Sequence, residues 1–484
     1  MKTYLSKSRL LSARQCLKKL YLEIHRPELK VISTNTEAAF EIGNRVGKVA
    51  QQIYGTEEAI FIPYEGGLSN ALNKTARFVK AGPKFPIFEA TFQYDGVLVR
   101  IDALIPHESG WRIVEVKAST SVKEEYPFDC AVQSWVFQNM GYDLKGIALA
   151  HIDNSFNYEG ANNYQGLLIE KNMADEVEDL LPIVPQRVKE ARSNMAGEEP
   201  DIAVGQHCFE PYECPFVSYC WPSGIDYPVQ GLAGNKAKLA KFILEGYRDI
   251  RDVPASRLSE KQQWIQKVTI SGKPELLPGT RKFVADLNYP RYYLDFETIM
   301  SPVPIWKGTR PYEVLPFQWS CHYEAAPGKI EHTEFLDFSG EPPMQRLAES
   351  LIRALGKQGP ILMYSQYEKR VINGLIKRFP DLKPSLDAII DRLVDLASVM
   401  RQNYYHPSMQ GSWSLKAVLP TIFSNMKYSK LEGIQTGTEA SKGYLEAIDQ
   451  ETSAEKKAEI KKQLLRYCKF DTEAMVKLIQ FLEH

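Results

Sequence analysis

No apolar run in this sequence reaches the ~20 residues that a membrane-spanning helix needs, which argues against a membrane partner. The opening stretch, MKTYLSKSRLLSARQCLKKLYLEIHRP, is rich in Lys and Arg and lacks the continuous apolar segment of a secretion signal. The expectation is a soluble, cytoplasmic protein. An excess of one charge sign is also missing, since 59 Lys and Arg stand against 60 Asp and Glu for a net charge of -1. A uniformly basic coat is excluded, although a groove can be basic while the whole chain is neutral. Local charge is less even: Lys2, Lys7, Arg9, Arg14, Lys18, Lys19, Arg26 and Lys30 face only Glu23 and Glu28 at the start of the chain. A solvated helix face and a phosphate-contacting one fit this run equally well. Internal repeats, long low-complexity tracts and any resemblance to a flavin or nicotinamide site are absent too, which leaves electron transfer poorly supported. Seven cysteines in a reducing compartment do not make a disulfide framework, so their spacing is what matters.

What is present is an ordinary globular composition, 44% hydrophobic and 25% charged, over a length that suggests two or three α/β domains. Between Pro86 and Leu149 the runs IFEATFQY, GVLVRIDALIP and WRIVEVKAS have strand character; a helix is expected at Asp129 to Met140, then a strand at GIALAHI. Residues 226–287 carry helix-like pieces broken by Pro and Gly, and are expected to connect a first domain, 1–225, to a last, 288–484. The last begins with RYYLDFET, followed by two strand-like runs, a helix from about Met344 to Leu355, the strand PILMYS and then mostly helix.

Glu115 and Lys117 stand two apart in WRIVEVKAS and therefore project from one face of a strand, with Asp102 at the end of the preceding run as their neighbour. Two hard carboxylates holding Mg²⁺ or Mn²⁺, with a lysine to steady developing negative charge, suit phosphodiester hydrolysis. A surface strand pair with Glu and Lys is common, so the three residues alone fit a bland reading as well. The order Asp102, Glu115-x-Lys117 and a helical Gln133 resembles the PD-(D/E)XK nucleases, and more narrowly the RecB-like branch that includes the CRISPR-associated iron-sulfur exonucleases. That branch has Gln-x-x-x-Tyr on the helix, where this chain has Phe137. The resemblance implies a restriction-endonuclease-like core, with Asp102 and Glu115 as metal ligands and Lys117 and Gln133 completing the catalytic set. Glu89 and the helix FEIGNRVGKVA, with Gly43 and Gly47, sit where that branch has supporting elements; for Glu89 a plain surface position is the expectation.

The segment CFEPYECPFVSYC places Cys208, Cys214 and Cys220 at even intervals, and Cys16 is the natural fourth donor. Four thiolates suit an iron-sulfur cluster or a structural zinc, and the absence of pairs two to four residues apart leans away from a zinc ribbon. The iron-sulfur members of the RecB-like branch take one Cys before the nuclease core and three after it, which implies a 4Fe-4S cluster that staples the two ends of the first domain. Cys130, Cys321 and Cys468 stand alone and read as buried small residues.

In RYYLDFET, Asp295 and Glu297 share a strand face; in RYCKFDTEAM, Tyr467 and Asp471 stand four apart on a helix. This combination resembles the DEDD 3′-to-5′ exonucleases and implies a ribonuclease-H-like core, with Asp295, Glu297 and Asp471 as metal ligands and Tyr467 orienting water. The remaining acid of that superfamily follows an Asn-x-x-Phe-Asp pattern, for which ILMYSQYEKRVI offers Glu368 behind Tyr367. Asp387, Asp391 and Asp395 recur at a spacing of four and are rivals, better explained as a solvated helix face, with Asp395 expected to start a turn of the fold and not to serve the chemistry; Lys416 and Trp413 are candidates for phosphate and base contact, with simple packing the favoured reading of Trp413. Both halves in this order, with these cysteines, resemble an uncharacterised bacterial family known only as a domain of unknown function, over nearly the whole chain. The expected function is a metal-dependent nuclease acting on nucleic acid, DNA ends or single strands in the first instance. The alternative is a nucleic-acid-binding protein in which one or both centres are inactive.

Overall fold

Every second residue from Val97 to Ala103 is buried, which is the period of a strand with one face on a core, and this stretch is the middle of the first sheet. The computed structural model describes residues 4–32, 34–221 and 224–483, as a mixed α/β chain in two compact units. Residues 1–223 with 301–312 make the first unit, and residues 224–300 with 313–484 the second. The expected connector, 226–287, falls within the second unit. The short segment 301–312 packs with the first unit although its flanking strands belong to the second. Among the described residues, no helix is long and apolar enough to cross a membrane.

The first sheet contains β1 (Leu5–Ser6), β2 (Ile60–Phe61), β3 (Ile87–Tyr94), β4 (Val97–His107), β5 (Gly110–Lys117), β6 (Leu144–Ile152) and β7 (Leu168–Asn172). Its order is β2-β3-β4-β5-β6-β7, with β1 added to β4. β3, β4 and β5 form an antiparallel meander, whereas β5 and β6 are parallel and need a crossover, supplied by the helix Tyr126–Asn139. Most of that helix is buried, including Phe128, Val132, Val136 and Phe137, and it packs on the sheet through Phe92, Ile113 and Leu149. Sequence periodicity found β3 to β6 and this helix within a few residues.

The second unit holds β9 (Arg291–Ile299), β10 (Leu315–Ala326), β11 (Lys329–Leu336), β12 (Ile361–Met363) and β13 (Leu393–Asp395), after a short β8 (Glu275–Leu276) that pairs with β14 (Tyr404–Tyr405). The order is β11-β10-β9-β12-β13, antiparallel across the first three and parallel beyond. The long helix Ala454–Glu483 packs on β9 and β10, and Phe317 stacks on Tyr444 with ring centroids 3.9 Å apart. The expected helical face of Asp387, Asp391 and Asp395 does not form. The helix Lys383–Ile390 ends at Asp391, and Leu393 to Asp395 pair with β12. Asp395 opens the next element, in line with the turn expected there: it caps the helix Leu396–Asn403 by accepting from the Ser398 amide at 3.2 Å.

Candidate metal centres

The β4–β5 ladder runs to Ala103 opposite Val114, and one step further would set Asp102 against Glu115. The Asp102 carboxylate takes over there, its Oδ2 accepting from the Val116 amide at 2.8 Å, between Glu115 and Lys117. Lys117 Nζ donates to Glu115 Oε1 at 2.6 Å and to Asp129 Oδ2 at 2.7 Å. Gln133 Nε2 donates to Glu115 Oε2 at 2.7 Å and to Asp129 Oδ1 at 3.1 Å, while its own Oε1, fully buried, has no partner. The structure thus brings together all four residues expected at the first centre. Two further members were missed. Asp129 stands four residues before Gln133 on one helix face, a spacing legible in sequence. Lys7, at the start of the helix Lys7–Gln15, lies 2.9 Å from Glu115 Oε1 and 2.9 Å from Asp129 Oδ1; the basic opening segment gave only a general hint of it.

The charges of this centre are largely compensated. Burial, with Asp102 and Asp129 nearby, pushes Glu115 up to about 7 in spite of the two lysines. Burial also raises Asp102, against the pull of Lys7 and Lys117. Burial acts to raise Asp129 as well, yet Lys7 and Lys117 hold it below the ordinary carboxylate range. Phe137 is fully buried and packs edge-on against Phe92 at 5.1 Å, so the position of the family's tyrosine belongs here to the core. Glu89 is not a plain surface residue. It stands beside Asp102 across β3 and β4 with φ at +59°, pairs with Arg100 at 3.0 Å, and its charge helps to raise Asp102.

The second centre is built differently. Asp295 and Glu297 come from the same face of β9, Glu368 from the first turn of the helix Tyr367–Arg378, and Tyr467 and Asp471 from the long helix. No lysine or arginine forms an ion pair with these acids among the described residues. Burial pushes Asp295 and Glu297 well above the carboxylate range, with Asp471 the first neighbour adding to it in both cases. Burial raises Glu368 to about 8, helped by Asp395 and Asp471, and Asp471 to about 7, opposed by Tyr428 and Lys416. Glu368 is 4% exposed, and its Oε2 has no hydrogen-bond partner. Tyr428, which nothing in the sequence marked, donates to Asp471 Oδ1. Cys468 is buried as expected but is not isolated: its thiol lies 3.4 Å from Asp295 Oδ2, and donor atoms of Asp295, Glu297 and Cys468 fall within 4.8 Å of one another.

Lys416 sits over the rings of Tyr428 and Tyr467 and donates to the Gln435 carbonyl at 2.6 Å. Trp413 is core: 7% exposed, it donates to the Tyr404 carbonyl at 2.8 Å.

Cys16, Cys208, Cys214 and Cys220 line one cavity of the first unit, with Lys18, Lys19, His207 and Phe216 beside them, and all four are free thiols. Burial raises the Cys16, Cys214 and Cys220 thiols, the last to about 11. The amides of Lys18 and Lys19, at the start of the helix Leu17–His25, act in the opposite direction on Cys16, and the Lys18 ammonium does so on Cys220. Cys130 and Cys321 are fully buried in the cores.

No curated protein matches this chain. Six solved chains do, among them one described as "Crystal structure of SSO0001", 13% identical, over 46% of this chain and 87% of that one, with a TM-score of 0.23. At that score the likeness carries no argument. Residues 292–414 match a family described as Domain of unknown function (DUF2779). The match includes Asp295, Glu297 and Glu368 and leaves Tyr467, Asp471 and most of the first unit outside, a shorter reach than the sequence resemblance implied. It supports an uncharacterised domain family for that stretch.

Proposed function

We propose that this protein is a divalent-metal-dependent nuclease, acting on DNA ends or single strands, with a RecB-like PD-(D/E)XK centre in the first unit and a DEDD exonuclease-like centre on a ribonuclease-H-like core in the second. The observation that carries the reading is the second acid cluster. Four carboxylates that burial raises, three of them raised further by Asp471, with no ion-paired base among the described residues and one buried oxygen unpartnered, ionise together at neutral pH far more readily when a cation joins them. Asp295, Glu297, Glu368 and Asp471 offer oxygen donors, which fit Mg²⁺ or Mn²⁺, and the Cys468 thiol borders those of Asp295 and Glu297. Such an ion, when bound, supplies charge neutralisation of the phosphoryl oxygens and a water activated near neutral pH. The protein's own part is to gather the carboxylates at one place, to aim the Tyr467 hydroxyl at a water, and to keep Asp471 oriented through Tyr428. In the first centre Lys117 would steady negative charge that develops on the phosphate. The order β11-β10-β9-β12-β13 and the antiparallel β3-β4-β5 meander crossing over to β6 support the two core assignments.

The four thiols line one cavity, and their spacing, without pairs two to four residues apart, favours a 4Fe-4S cluster over zinc. The cluster's part is structural: it ties Cys16 to the segment 208–220. An absorption band at about 400 nm on anaerobically purified protein tests for it.

The nuclease assignment is tested on end-labelled single-stranded DNA with Mn²⁺ or Mg²⁺. Lys117→Ala and Asp295→Ala each remove part of the degradation, and the double variant removes it; an undiminished rate in the double variant refutes the assignment. A second reading, in which the first centre binds nucleic acid without cutting it, draws on the saturation of Glu115 and Asp129 by ammonium groups. Under it, degradation is insensitive to Lys117→Ala while gel-shift binding persists.

A further inference from the structure

Lys7 and Lys117 duplicate each other. Lys117 already contacts both Glu115 and Asp129, and Lys7 contacts the same two carboxylates from the other end of a 108-residue separation in sequence. Three carboxylates, those of Asp102, Glu115 and Asp129, against two ammonium groups leave one negative charge. A divalent ion in place of one ammonium leaves none. Two of the oxygens that could serve such an ion, Glu115 Oε1 and Asp129 Oδ1, are held by Lys7 at 2.9 Å, the first shared with Lys117 and the second with Gln133.

The backbone around Lys7 is firmly placed, whereas its ammonium sits on a rotatable four-carbon stem. Leu5 and Ser6 pair with Val97 and Leu98 of β4, Ser6 caps the helix by accepting from the Arg9 amide, and Leu5 and Leu10 are buried in the core. Lys7 can therefore swing off the carboxylates without disturbing the sheet, and its side chain keeps some exposure, 18%, for that movement.

We infer that the Lys7 ammonium holds the cation position of the first centre in the metal-free protein and competes there with a divalent ion, so that Lys7 sets the metal concentration at which the centre loads. This rests on the metal-dependent reading of the first centre. Lys7 is in these terms a positioning residue: it acts through Glu115 and Asp129, and once displaced it remains a tethered cation beside the phosphodiester.

The test uses anaerobically purified full-length chain carrying Asp295→Asn and Asp471→Asn, so that calorimetric Mn²⁺ uptake reports the first centre. Adding Lys7→Met is expected to tighten Mn²⁺ binding about tenfold, since it removes a competing unit charge. Lys7→Arg, which keeps the cation, stays close to the parent. Unchanged or weaker binding in Lys7→Met, or equal tightening in Lys7→Arg, overturns the inference alone. Absence of Mn²⁺ uptake in every variant overturns it together with the metal-dependent reading. A measurement independent of substitution is the nuclear resonance of isotopically methylated Lys7, which should shift as Mg²⁺ is added to the unsubstituted chain; a Lys7 signal that stays in place overturns the inference.

Discussion

Single side chains decide whether each centre is electrically satisfied. Glu368 has exchanged an ordinary surface role for a place beside Asp395 and Asp471, where burial first and those neighbours second raise it to about 8. Glu368→Gln removes one charge from the cluster without changing its shape. In metal-free protein at pH 8 the melting temperature should rise by a few °C, while the further rise on adding Mg²⁺ should shrink, both read by calorimetry. Phe137 offers the opposite case. Restoring the hydroxyl by Phe137→Tyr places a polar group against Phe92 and Tyr142 in the core. A loss of about 1–3 kcal/mol in denaturant unfolding, with no gain in nuclease rate, is expected. Both positions were visible in sequence, but the consequences of the acid at one and the missing hydroxyl at the other depend on neighbours far along the chain.

At the scale of the element, β9 carries the second centre, and its start is set by a tight junction. The Tyr292 amide donates to the Pro360 carbonyl at 3.0 Å, aligning β9 with β12, and Gly359 precedes that contact with φ at +85°. A Cβ at Gly359 would lie 1.8 Å from the Pro290 carbonyl oxygen. Gly359→Ala therefore has to move backbone as well as adopt a left-handed conformation that L residues disfavour, at a cost of about 2 kcal/mol or more. Urea unfolding should show this loss in the second unit, and an unperturbed midpoint would contradict the register described for β9 and β12. β4 was readable because its residues alternate between core and surface from Val97 to Ala103, and the other strands because they are short runs of β-branched and aromatic residues; Asp387, Asp391 and Asp395 do not share a helix because a spacing of four persists through a turn and a strand as easily as through a helix.

For the whole molecule, the acid clusters link pH to stability. The folded Asp471 and Glu368 keep their protons up to about 7 and about 8, against ordinary values of 3.8 and 4.5. Groups raised in this way contribute stability that is fully present below the ordinary values and is lost as pH rises through 7 to 8. Metal-free protein should accordingly melt at a lower temperature at pH 8.5 than at pH 6, by something on the order of 5 °C. Saturating Mg²⁺ should flatten that dependence by neutralising the ionised carboxylates, and a metal-free profile that rises with pH across this window would count against the arrangement of the cluster.

Much of this protein follows from its residues taken in order. The period of two places Glu115 with Lys117 and Asp295 with Glu297, and spacing along one helix joins Tyr467 to Asp471. Which charges those groups meet was decided only by tertiary folding. Lys7 joins Lys117 in offsetting the acids of the first centre, Asp129 included, whereas Tyr428 and Cys468 border a second that has no ion-paired base among the described residues. The physical reason is that electrostatic interaction depends on separation in space and on burial, and neither is a function of distance along the chain.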